Sequence, residues 1–336
     1  MAAGSRYRTW LLLAVKLIVA VGLLTWLVRG KALDFGALLV LARSPTLMAA
    51  NAAMFVTCSL VITTSRWRLL LGLADASIPF VRAVQLQMVG VFFNVVIPGN
   101  IGGDVVKALY VAREQTAEKR ATILLIVFVE RVMGLIGLIA MATLAIVVRG
   151  PFMWANPTMR PMMTITGALG AATLLGAPLA IWIFVRASGR LQRLTTSDPS
   201  KPSRLLGLLN KLVTSGRLLV ARPRVLLGTL LLSMANHGVA MSYFTLLTRT
   251  LTNQDVDYSA VATVFPLGLL TLVLPVSPAG MGVGHVAFDR LYQAIGLSGG
   301  ATIFNVFIIG QIVPCVLGVF PYLLLRSRGR IPDEAG

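Results

Sequence analysis

The chain has 336 residues, 57% of them hydrophobic and only 12% charged, and carries a formal net charge of +18, whereas an ordinary soluble domain is about a quarter charged. With a mean hydropathy of +0.83, this composition excludes a soluble nucleic-acid binder as the source of the basic charge. Apolar stretches of about 20 residues, enough to cross a hydrocarbon layer about 30 Å thick, recur along the sequence, so the expected fold is an all-α polytopic membrane protein, one integral membrane domain over residues 1–336.

Six stretches read as full spans: 10–28, 46–70, 121–148, 163–185, 225–248 and 301–325. The first is too long for a signal peptide and lacks a small-residue cleavage site, so it reads as a retained helix, with Lys16 inside it. Cys58 and Cys315 fall within apolar segments and read as small hydrophobes. Residues 79–98 and 259–278 differ from the six, because prolines interrupt them and they run into the turns "IPGNIGG" and "LPVSPAGMGVG".

Charge placement decides how these two broken segments sit. If both crossed the membrane, the Arg186–Arg224 loop, rich in Lys and Arg with Asp198 as its sole acid, would lie opposite the N-terminus, against the positive-inside rule. If each enters and leaves on one face, 79–98 from the cytoplasm and 259–278 from outside, the loop joins Arg6, Arg8, Arg66, Arg68, Arg82, Lys107, Arg113, Lys119, Arg120, Arg326, Arg328 and Arg330 on the cytoplasmic side. The outside then keeps the smaller set of Arg29, Lys31, Arg43, Arg149, Arg160, Arg249 and Arg290. The expectation is two oppositely oriented re-entrant elements, pseudo-equivalent halves at about 46–148 and 225–325 forming an inverted repeat, and cytoplasmic termini in a plasma or inner membrane. Within the loop, Leu205, Leu208, Leu209, Leu212 and Leu219 form one helical stripe among basic residues. Such an amphipathic helix lies on an anionic leaflet.

The first broken element reads "NVVIPGNIGGDVVKALYVARE". Asn94 opens it and Pro98 ends the inbound arm. Gly102 and Gly103 permit tight backbone geometry, and Asp104 and Lys107 share a face of the outgoing helix, followed by Arg113. One reading is an anion site at a helix N-terminus with Lys107 and Arg113 as cations. The other is that Asp104 caps the helix and pairs with Lys107. Glu130 and Arg131, in "VFVERVMGLIG", lie inside a span, where ionisable groups mark function by default. They point about 100° apart and need separate partners, and Glu130 shares its stripe with Gly134 and Gly137, where another helix can approach. In the second element, Pro275, Ser277, Gly280 and Gly282 precede a helix carrying His285 and Asp289; their four-residue spacing lets a carboxylate orient an imidazole and admits a proton-linked step. His237, beside Asn236 in a span, reads as an interhelical hydrogen bond. Neither a metal-ligand cluster nor a nucleotide loop is present, so no metal or cofactor is expected.

At these residues the chain resembles the flippase-like transmembrane domain of lysylphosphatidylglycerol synthases and related stand-alone proteins. The resemblance covers most of the chain and rests on "RWRLLL", "NVVIPGNIGGDVVK", "ERVMGL" and "LPVSPAGMGVGHVAFDRL". Asp104 matches the family pattern, Lys107 stands where Arg is common, and His285 replaces an acidic residue. The resemblance implies a lipid transporter without a synthase domain, since only "IPDEAG" follows Arg330. The leading expectation is a flippase or scramblase that moves an anionic or polyprenyl-linked lipid between leaflets, with the headgroup held between the two re-entrant elements. A rival is a membrane lipid phosphatase, because "LPVSPAGMGVGH" is loosely similar to the "LPVSSTGH" turn of undecaprenyl pyrophosphate phosphatases. A third reading is a non-transporting partner of a lipid-modifying enzyme. Membrane lipids are the expected partners and nucleic acid is not.

Overall fold

The structure is a computed structural model that describes residues 36–96, 102–196, 213–218, 220–273 and 282–327. It is helical, with no strand among the described residues. The expected span 10–28 with Lys16, the whole leucine stripe, and Pro98, Pro275, Ser277 and Gly280 lie outside the described residues.

A short helix, α1 (Gly36–Arg43), leads into α2 (Pro45–Ala74). Ser44 starts α2: its hydroxyl accepts the Leu47 amide at 3.3 Å and Pro45 occupies the first turn, where a missing N–H costs nothing. Between Val56 and Thr63, α2 widens to π geometry, and it ends at Asp75, whose φ of 48° stops the helix. Two helices follow, α3 (Phe80–Val96) and α4 (Gly102–Arg113), then the long α5 (Ala117–Ala155) and α6 (Arg160–Thr196). The chain continues with α7 (Pro223–Thr252), α8 (Tyr258–Thr271), α9 (Val283–Ala294), α10 (Gly300–Val316) and α11 (Val319–Ser327).

Five stretches are long and apolar enough to cross a membrane: Pro45–Ala74, Lys119–Ala155, Arg160–Gly189, Pro223–Thr252 and Gly300–Leu325. They coincide with the five expected spans that fall within the described residues. α3 and α8 are apolar but shorter, and at 1.5 Å per residue α4 and α9 reach only about 18 Å. Neither could cross alone.

These short helices form two hairpins. Along α3 and α4 the partners run in opposite directions: Arg82 pairs with Glu114, Gln87 with Lys107, and Asn94 with Gly103. Gly103 lies so close to α3 that a Cβ there would sit 1.7 Å from the Gly90 carbonyl oxygen, a crossing open only to a residue without a side chain. In the second hairpin Gly268 faces Phe288 and Leu272 faces Gly284, again antiparallel.

Each hairpin sits in its own core. Trp67, Leu70, Leu86, Val89, Ala108, Val111 and Ile126 enclose the first. Around the second, Phe244 packs against Phe265 and Phe288 at ring separations of 5.0 and 5.1 Å, and Phe288 stacks on Phe304 at 4.8 Å. Offset and tilted ring pairs of this kind add to the burial of their area. By contrast α6 is almost unburied, with Leu174, Leu175 and Trp182 exposed, as expected of a peripheral span bathed in lipid. Of the basic loop, Val213 is buried and the Ser215 hydroxyl meets that of Thr122 at 2.7 Å, which ties the end of the loop to the start of α5.

Candidate functional site

The first hairpin places a charged helix start inside the protein. The Asn94 side-chain oxygen accepts the Gly103 N–H at 2.9 Å, satisfying one of the amides that a helix N-terminus leaves free. Asp104 follows in the first turn, where the helix dipole favours an anion. Lys107, one turn on, is fully buried, and its Nζ lies 3.0 Å from Asp104 Oδ1, 3.2 Å from Glu130 Oε2 and 3.0 Å from Gln87 Oε1. Gln87 and Asp104 accept from the ammonium group, and Glu130 Oε2 adds an ion pair without a hydrogen bond. The same nitrogen sits over the Trp67 ring at 5.0 Å, a cation–π contact strengthened by the absence of water.

The carboxylates are shared with two further cations. Arg66, from α2, reaches Glu130 Oε1 at 3.3 Å and donates to the Ser233 hydroxyl at 2.9 Å. Arg131 pairs with Asp104 Oδ2. Each oxygen of both carboxylates therefore faces a cation, with Lys107 shared: Lys107 and Arg131 for Asp104, Arg66 and Lys107 for Glu130. With all five groups ionised, three cations face two carboxylates, an excess of one positive charge. Lys107 is wholly buried, while the Arg131 side chain is 41% exposed and forms the open edge of the cluster.

The supporting helices approach closely. A Cβ on Gly137 would lie 2.7 Å from Ser233 Cβ, so the small residues on the Glu130 stripe admit α7 against α5. His237, one turn after Ser233, has its Nε2 3.1 Å from the Gly134 carbonyl oxygen, the interhelical hydrogen bond expected of it.

The predicted site residues separate into groups. Asn94, Gly103, Asp104, Lys107, Glu130 and Arg131 come together, with Gly102 beginning α4. Arg113 does not join them: it is exposed at the far end of α4, where its carbonyl accepts from Arg120. His285 and Asp289 also stand apart, and no hydrogen bond or ion pair among the described residues links them to the cluster. They engage different partners, too. His285 Nδ1 accepts the Gly282 N–H at 3.3 Å and its ring meets Asn305 and the edge of Phe304, whereas Asp289 accepts from Gln293 at 2.8 Å.

Two of the charges assigned to the cytoplasmic side take part in the cluster: Arg66 belongs to the body of α2 and pairs with a buried carboxylate, and Lys107 is enclosed. Arg66, Trp67 and Gln87 were absent from the expected site. The signal was present in "RWRLLL", an arginine and an indole within a spanning helix, but a charge near the end of an apolar run reads as an interface residue unless its depth is known. Among the described residues, no group of three His, Cys, Asp or Glu side chains gathers as a metal site would require.

The model of the lysylphosphatidylglycerol synthase TM region matches residues 13–318, which include all five charged residues of the cluster. A UPF0104 membrane protein of Pyrococcus horikoshii is 22% identical over 265 residues, covering 73% of this chain and 76% of the relative. No solved structure matches the chain. A multi-pass helical chain whose family match runs from residue 13 to residue 318, across both hairpins and into the last described span, belongs to the lysylphosphatidylglycerol synthase transmembrane-region family.

Proposed function

We propose that the protein is a flippase or scramblase that carries an anionic lipid headgroup between leaflets past the cluster of Arg66, Lys107, Arg131, Asp104 and Glu130. The observation that carries this reading is the excess of one positive charge held by helices in an apolar chain. Ionisable groups at membrane depth are expensive and mark substrate pathways, and replacing a buried ion network by packed apolar residues is often neutral or stabilising. A purely structural role therefore explains its presence poorly. Arg131, at the open edge, makes the first contact with a phosphate, and Arg66 and Lys107 take up the charge as the carboxylates exchange partners.

The same reading treats the two hairpins as re-entrant elements of opposite orientation and the halves as an inverted repeat, the arrangement that alternating access uses. Its support is the repeated order of long helix, short hairpin and long helix, together with the bias of Lys and Arg that puts the termini and the basic loop at the cytoplasmic face.

The test is leaflet-resolved movement of fluorescent phosphatidylglycerol in proteoliposomes for the wild type, Asp104→Asn and Glu130→Gln, with phosphate release from a polyprenyl pyrophosphate measured alongside. Movement in the wild type, reduced at least tenfold in both variants and without phosphate release, is expected. Phosphate release without lipid movement would replace the carrier by an enzyme.

A further inference from the structure

A cavity of about 230 Å³ lies where α2, α7, α8 and α10 meet, between the two halves of the chain. Its polar wall consists of Ser59 and Thr63 from the π-helical part of α2, Asn236 and His237 from α7, and Gln311 from α10, with apolar side chains completing the rest. None of its lining residues is Asp, Glu, Lys or Arg. The Asn236 side-chain oxygen is buried and without a hydrogen-bond partner, and a buried acceptor in that condition calls for a donor.

The cavity neighbours the Arg66 side of the charge cluster along shared helices. Thr63 stands one turn before Arg66 on α2, and His237 one turn after Ser233, the residue that accepts from Arg66. His237 also bonds the carbonyl of Gly134, one turn along α5 from Glu130. The helices that wall the cavity thus also carry Arg66 and its partner Ser233.

We propose that this cavity is the subsite for an uncharged, hydroxyl-bearing headgroup, a glycerol or a sugar, attached through a singly charged phosphodiester that rests against the Arg66 side of the charge cluster. The proposal rests on the reading of the protein as a carrier of anionic lipids and specifies its substrate class. One excess positive charge matches one phosphodiester charge. Hydroxyl groups both donate and accept, as the lining of Ser, Thr, Asn, His and Gln requires. An aminoacylated headgroup would instead bring an ammonium into a cavity without a carboxylate, leaving a desolvated charge unpaired. A pyrophosphate would bring more negative charge than the cluster balances.

The deciding experiment measures binding of lipids to the purified full chain in detergent by native mass spectrometry, separately from transport. The probes are dioleoyl phosphatidylglycerol, dioleoyl phosphatidylmethanol, which has the same charge and no hydroxyls, lysyl-phosphatidylglycerol, and soluble glycerophosphoglycerol. The wild type should prefer phosphatidylglycerol over phosphatidylmethanol by roughly fivefold to tenfold, the scale of one or two net hydrogen bonds. Asn236→Leu should abolish that ratio while leaving phosphatidylmethanol binding unchanged, and Asn236→Asp should shift preference toward the lysyl lipid. Asn236-dependent binding of glycerophosphoglycerol would place recognition in the headgroup rather than the tails. Equal binding of the two anionic lipids by the wild type, or tightest binding of the lysyl lipid, overturns the proposal. Should Asn236→Leu fail to fold, Gln311→Leu and Ser59→Ala report the same ratio. A binding preference without leaflet exchange would remove the carrier reading and leave the subsite supported.

Discussion

Replacing Lys107 with Met tests whether the buried cluster is held together as its geometry indicates. Methionine has nearly the same length, so packing is retained, but the ammonium that bridges Asp104, Glu130 and Gln87 is lost. Removing one partner of a buried pair costs about 3–5 kcal/mol. Here Asp104 keeps Arg131 and Glu130 keeps Arg66, so the loss falls at the lower end, about 3 kcal/mol. The contact with Trp67 belongs to the same network, and its energy cannot simply be added. The double variant Lys107→Met, Glu130→Gln removes a charge of each sign and should recover part of the loss, with a coupling of about 1–3 kcal/mol. Reversible unfolding in mixed micelles, followed by tryptophan fluorescence, measures both quantities. A Lys107→Met variant within about 1 kcal/mol of the wild type, or a cycle without coupling, would show that the cluster contributes nothing net as a network and would refute the reasoning.

Three further predictions follow the same logic. Gly103→Ala must push α3 and α4 apart, since its Cβ would meet the Gly90 carbonyl at 1.7 Å; it should cost about 1–3 kcal/mol or more and abolish lipid movement, while Gly176→Ala, with nothing within 4 Å, should be neutral or slightly stabilising in the same thermal assay. Asn94→Ala removes the acceptor of the Gly103 amide and should cost about 1 kcal/mol, with faster hydrogen exchange at the start of α4. Asp257 caps α8, and the Ser259 hydroxyl and amide that donate to it hold its carboxyl below the ordinary carboxylate range. A depressed carboxylate stabilises the folded state above its unfolded pKa and loses that contribution as pH falls through the folded value. The melting difference between wild type and Asp257→Ala should therefore shrink below about pH 4, and a difference independent of pH would refute it.

Much of the architecture was legible in the sequence because its causes are local. A run of about 20 apolar residues has few fates other than a span, and the expected spans after the first reappear as α2, α5, α6, α7 and the α10–α11 stretch. The breaks near "IPGNIGG" and "LPVSPAGMGVG" marked the two short hairpins because proline and glycine interrupt helices through their own backbone chemistry. The pairing of Asp104 with Lys107 was equally local, being set by one helical turn.

Tertiary structure decided which charges meet. Arg66 reaches Glu130 across 64 positions and Lys107 reaches Gln87 across 20, and both contacts depend on the depth and rotation of helices packed through Gly90, Gly103 and Gly137. Helical periodicity states which residues share a face but not which face turns toward which neighbour. That is why Arg66 was missing from the expected site, and why the spacing of His285 and Asp289, one turn apart in α9, admitted a pairing where packing gives one to Asn305 and Gly282 and the other to Gln293. The sequence by itself determined the spans, the breaks and the inventory of charge; only the packed helices decided which of those charges share one buried cluster, because the desolvation that makes their pairing obligatory exists only once the helices enclose them.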